Sequence, residues 1–129
     1  MELITVFSKL DNSMQESLFF SAEGDGRPLL VALHTWSFDK ENQVEYLLPY
    51  VKKENWNLLL PNFRGPNKGY NPECKKACGS EYAVSDILEA TQYILDNKNV
   101  DKNNVYLFGG SGGAQAHSRA DLPHGGGIA

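Results

Sequence analysis

Three short apolar runs without alternation constrain this chain more than any other feature of it. They are LLVAL within PLLVALHT (residues 28–35), LLL within WNLLLPN (residues 56–62), and VYLF (residues 105–108). A strand with one wet face alternates apolar and polar residues, whereas a continuous apolar run bounded by turn signals belongs to a strand buried on both faces. Stretches of helical period separate these runs. Val44, Leu47, Leu48 and Val51 share one helix face, with Pro49 inside the pattern expected to kink or shorten it. Val84, Ile87, Leu88, Thr91, Ile94 and Leu95 line a second face, with Ser80 as N-cap and DNKN (residues 96–99) as the stop. Strands alternating with helices imply right-handed crossovers and a mainly parallel sheet with helices on both faces.

Ahead of the first of these strands, SLFFSA (residues 17–22) runs through EGDGRP (residues 23–28) into PLLVALHT. Two β-rich runs joined through Gly-Asp-Gly read as an N-terminal antiparallel hairpin. ITVF (residues 4–7) adds an edge strand before it. The expected class is α/β. A length of 129 residues, 41% of them hydrophobic and 22% charged, suits one packed domain.

The formal net charge of −4, from 12 Lys plus Arg against 16 Asp plus Glu, leaves no electrostatic footprint for nucleic acid. Lys52-Lys53 and Lys75-Lys76 read as solvated pairs. No apolar run approaches the roughly 18–20 residues that cross a bilayer, and MELITVFSKLDNSMQES carries neither a basic leader nor a long apolar stretch. A cytoplasmic protein with no membrane or nucleic-acid partner is the expectation. Cys74 and Cys78 lack companions at ligand spacing, since His34, His117 and His124 form no paired set; no metal is expected, and the thiols are read as free.

From Ala114 the composition changes. The preceding residues carry nine Lys and eleven Asn, and the sixteen of AQAHSRADLPHGGGIA carry neither. No helix face can be drawn through Leu122 and Ile128, and Pro123 with Gly125, Gly126 and Gly127 disfavours regular structure. Residues 1–113 are therefore read as the domain and 114–129 as a disordered or non-native tail.

Gly109-Gly110-Ser111-Gly112-Gly113 follows VYLF directly and satisfies G-x-S-x-G. The pattern describes a sharp strand-to-helix turn that exposes a serine hydroxyl, with small neighbours permitting close approach. The N–H after the serine then helps to hold an oxyanion, assisted by the positive end of the next helix. A flexible Gly-Ser linker has the same composition, but the preceding strand and the two βα units upstream favour the elbow. No Gly-Lys-Ser/Thr follows, and Gln115 stands where a dinucleotide fingerprint has its third glycine, so phosphate-cradling loops fit poorly.

Taken in order, LLVALHTW, LPNFRGPN, ACGSEYAVSDILEATQYI and NVYLFGGSGG resemble the first half of a prolyl oligopeptidase-type α/β-hydrolase domain, over residues 28–113. The resemblance implies Ser111 as nucleophile and the backbone N–H of Gly112 as first oxyanion donor. Thr35 and Trp36, on the loop after His34, would supply the second donor from their backbone. Arg64 and Gly65 match an arginine–glycine turn that shapes the site wall, and Gly109, Gly110 and Gly113 match the elbow. It also implies a peptide or ester substrate and no cofactor.

The acid and histidine of that family come from later strands, so a chain cut after the elbow is expected to be inactive or nearly so, because a serine needs a positioned base. Asp121 and His124 lie in a glycine-rich tail that cannot hold them in hydrogen-bond geometry. Several residues carry a second reading. His34, in the site wall, is a catalytic base or a hydrogen-bonded loop residue; Trp36 lines an acyl pocket or packs in the core; Arg64 binds a substrate carboxylate or pairs with a helix acid. The competing reading of the whole is a non-catalytic binding or assembly module, self-associating through an exposed strand edge at VYLF.

Overall fold

The structure, a computed structural model, describes residues 1–34, 40, 44–65, 71–73, 76 and 80–109. The elements are β1 (Glu2–Phe7), β2 (Met14–Phe20), β3 (Arg27–Leu33), α1 (Val44–Glu54), β4 (Asn57–Pro61), α2 (Glu81–Asn97) and β5 (Val100–Gly109). Among the described residues the strands form one five-stranded sheet in the order β1-β2-β4-β3-β5. β3 runs parallel to β4 and to β5, while β2 runs antiparallel to β1 and to β4. The sheet is thus mixed rather than mainly parallel.

β3 explains why LLVAL does not alternate. Successive strand side chains point to opposite faces, and here both directions lead into a core. Leu29, Val31 and Leu33 pack with Leu59, Val105 and Leu107 and with Ala83, Ile87, Ala90 and Ile94 of α2. Leu30 and Ala32 pack instead with Leu58 and Leu60 and with Leu47 and Val51 of α1. α1 runs through Pro49 without ending there. α2 begins where the sequence indicates, with the Ser80 side chain accepting from Ala83 N at 3.1 Å.

The expected hairpin between residues 17–22 and 28–35 is not formed. β4 lies between β2 and β3, and β2 pairs with β4 through Ser17↔Pro61, Leu18↔Leu60, Phe19↔Leu59 and Phe20↔Leu58. The antiparallel hairpin of the N-terminus is β1–β2 instead, in the register Leu3↔Leu18 and Thr5↔Glu16. The physical reason lies in the asparagines before β4. Asn55 exchanges two side-chain bonds with the backbone of Glu23, at 2.8 and 2.9 Å. Asn57, buried at the start of β4, accepts from Ala22 N at 2.8 Å and donates to the carbonyls of Arg27 and Pro28. The connection from β2 to β3 is therefore bound across the end of β4. Gly24 and Gly26, at φ 81° and 62°, supply its left-handed bends.

β5 starts five residues before VYLF. Arg27 pairs with Val100 but Leu29 pairs with Val105, so three extra residues bulge from β5 between those pairs. Asp101 closes the bulge by accepting from Asn103 N at 3.0 Å and from the Asn104 side chain. The bulge residues Asp101–Asn104 are polar, with Lys102 and Asn103 exposed, so no apolar run marks this part of the strand.

Candidate active site

β3 and β5 are adjacent and parallel, and their last paired residues are Leu33 and Gly109. The two strands therefore end side by side at the carboxyl edge of the sheet. Of the residues expected to carry the chemistry, Thr35, Trp36, Gly110, Ser111, Gly112 and Gly113 lie outside the described residues, as do Cys74, Cys78 and the whole of 114–129. His34, Arg64, Gly65 and Gly109 lie within them.

His34 follows β3 directly and is 3% exposed. Its Nε2 donates to the Asn62 carbonyl, which can only accept, so that nitrogen carries a proton. The imidazole also stacks on Phe63, with centroids 3.9 Å apart and an interplanar angle of 11°. Its bond to the Asn62 carbonyl and its stack on Phe63 are those of a hydrogen-bonded loop residue.

Arg64 and Gly65 end a tight turn after β4. Gly65 N donates to Asn62 O at 2.9 Å, and the central residues Phe63 and Arg64 have φ of 30° and 72°. Two positive φ values in succession are the pattern of a mirror-image turn, which costs a non-glycine residue roughly 1–2 kcal/mol each. The Arg64 side chain offsets that strain. It is fully enclosed and reaches Asp86 on α2 (Nε–Oδ2 2.6 Å, Nη2–Oδ1 3.2 Å) and Asp11 in the β1–β2 loop (Nη1–Oδ2 2.6 Å, Nη2–Oδ1 3.1 Å). Glu73 at 2.9 Å and Ser8 Oγ at 3.1 Å complete the set. Five N–H donors meet these acceptors, so of its two readings Arg64 takes the pairing with a helix acid.

The electrostatics follow from this enclosure. Burial pushes the Asp86 carboxyl up to about 6, outweighing the hydrogen bonds and charge of Arg64. Asp11 is held well below the usual carboxylate range by its hydrogen bonds from Arg64, then from Ser13 and Lys76. For Arg64 itself burial alone would lower the value, but bonds to Asp11, Asp86 and Glu73 raise it further above its ordinary one. Lys76, read from the sequence as solvated, pairs with Asp11 at 2.9 Å and lies over the Tyr82 ring.

Asn62, Asp11, Asp86 and Glu73 were not legible as site residues. Asp86 did leave a trace. It sits in phase with Ala83 and Ala90 on the buried face of α2, where an acid requires a cation partner. Nothing local marks Asn62 or Asp11, because their partners come from other elements.

No protein-family model matches the chain, and no curated protein matches it. Solved structures do. An esterase from the archaeon Pyrobaculum calidifontis superposes with a TM-score of 0.70 at 18% identity, over 89% of this chain and 36% of its own. The S-formylglutathione hydrolase of Staphylococcus aureus gives 0.66 at 18%, over 87% and 47%. The acylaminoacyl peptidase of Pyrococcus horikoshii gives 0.66 at 17%, over 94% and 21%. The chain spans less than half the length of each of these three. The described residues therefore have the fold of the N-terminal part of an α/β-hydrolase, as found in serine hydrolases and esterases.

Proposed function

We propose that the chain belongs to a serine hydrolase acting on peptide or ester bonds, with Ser111 as nucleophile. The backbone N–H of Gly112 and of the Thr35–Trp36 segment would then form the oxyanion hole. The observation that carries this reading is the register Leu33↔Gly109. Neighbouring strands lie about 4.8 Å apart. Ser111 and Thr35 each stand two residues beyond these paired ends in the sequence. A nucleophile and its oxyanion donors must meet within a few ångströms, and this arrangement starts both from the same place.

The activating acid and histidine would come, by the resemblance, from strands beyond those present. The 129 residues alone are accordingly expected to show little or no turnover at neutral pH, since the serine lacks a positioned base.

Labelling with a fluorophosphonate probe tests the reading. At pH 7 the purified chain is expected to stay unlabelled. Added imidazole, a diffusible base, is expected to restore slow labelling that Ser111→Ala abolishes. Labelling that ignores Ser111→Ala would overturn the assignment of the nucleophile. Rapid Ser111-dependent labelling without imidazole would overturn the expected inactivity.

A further inference from the structure

We propose that Asn62 is a positioning residue for the β3–α1 connection, holding both of its ends from the terminus of β4. The inference rests on the hydrolase reading, which draws its second oxyanion donor from that connection. At the near end, the Asn62 carbonyl accepts from His34 Nε2 and from Gly65 N, which uses both of its lone pairs. At the far end, Asn62 Oδ1 accepts from the backbone N–H of Lys40 at 3.2 Å. The Lys40 side chain is fastened on the same side, with Nζ 3.3 Å from Glu16 Oε1. One residue thus ties two points of the chain between β3 and α1, His34 and Lys40.

Asn62 can do this because its own position is over-determined. Its N–H donates to the Glu16 carbonyl of β2 at 3.0 Å, and its Nδ2 donates to the Gly65 carbonyl at 3.3 Å. The next residue, Phe63, stacks on His34, and the one after it, Arg64, is locked to α2 and to the β1–β2 loop. The turn is therefore a rigid post, to which His34 and Lys40 are tied. Asparagine suits the post because it combines an acceptor for Lys40 with a donor for Gly65 on a short side chain. An aspartate keeps the first bond and loses the second, whereas an alanine loses both. The main-chain bond to His34 survives either change.

That chemistry defines the test. In the unaltered chain, a scalar coupling across the hydrogen bond should connect Lys40 15N to Asn62 13Cγ, and its absence would overturn the proposal without any variant. In Asn62→Ala the Lys40 amide should exchange about tenfold faster relative to core amides such as Val31 and Leu59, as expected for loss of one hydrogen bond. Asn62→Asp should restore its protection. Imidazole-supported labelling of Ser111 should fall in the alanine variant and recover in the aspartate variant. Unchanged Lys40 exchange in Asn62→Ala, or equal loss in both variants, would overturn the positioning role while leaving the hydrolase reading intact. Absence of Ser111 labelling in the unaltered chain even with imidazole added would overturn the hydrolase reading, and the role with it.

Discussion

Arg64 is the residue on which most distant parts of the chain converge. Three carboxylates and a serine surround its enclosed guanidinium, and they come from the β1–β2 loop, residue 73 and α2. Removing the arginine would leave Asp86 buried without its cation, a change that typically costs about 3–5 kcal/mol. Arg64→Leu is therefore expected to lower the urea midpoint strongly. Arg64→Lys should recover only part of the loss, since an ammonium cannot make two forked pairs at once. The two aspartates bias stability in opposite directions with pH. Asp11 is depressed in the fold, so it contributes stability above the ordinary value of 3.8, and this is lost as pH falls below it. Asp86 is raised to about 6, so between 3.8 and 6 the folded chain keeps a proton that the unfolded chain releases. Its contribution therefore declines as pH rises through that window and is level above it. An NMR titration should find the Asp86 carboxyl changing near pH 6. Asp11→Asn should flatten the acid limb of the urea-midpoint curve below about pH 4.

Among the elements, α2 was the most legible from sequence. Its apolar period and Ser80 cap are local signals, and the helix runs from Glu81 to Asn97 behind that cap. Ser80→Ala is expected to cost about 1 kcal/mol in a denaturant titration. The period misplaced one flank, because Val84 and Leu88 are only half-buried while Asp86 and Ala90 turn inward. On that inward face Asp86 meets Arg64. The pairing of β2 was not legible. Gly-Asp-Gly signals a bend, and a bend is compatible with a tight hairpin or with a step over a neighbouring strand. Asn55 and Asn57 decide between these through side-chain bonds to Ala22, Glu23, Arg27 and Pro28, more than 25 residues away along the chain. Asn57→Ala should therefore destabilise by about 1–3 kcal/mol, because it strands buried backbone groups. Amide exchange should show the loss concentrated at Ala22 and the start of β3.

For the whole molecule, β1 and β5 are the two edges of the sheet among the described residues. β5 carries Val105 and Leu107 into one core and Tyr106 and Phe108 against the other. An edge strand so apolar is a template for a further strand, and we expect the purified chain to self-associate through it. Sedimentation velocity should show a concentration-dependent dimer, and a strict monomer at about 100 μM, roughly a hundredfold above a micromolar Kd, would count against the edge. No helix among the described residues is long and apolar enough to cross a membrane.

The chain's local vocabulary came from sequence alone: which stretches are strands or helices, which strand is buried on both faces, and where α2 is capped. Those properties depend on the period and chemistry of residues a few places apart. Only the tertiary structure decided that β4 separates β2 from β3, that Arg64 turns inward, and that His34 and Lys40 are tied to one asparagine. Each of these pairs groups from elements distant along the chain, and no local pattern encodes the partner. Their joint geometry exists only once the sheet has closed around β3.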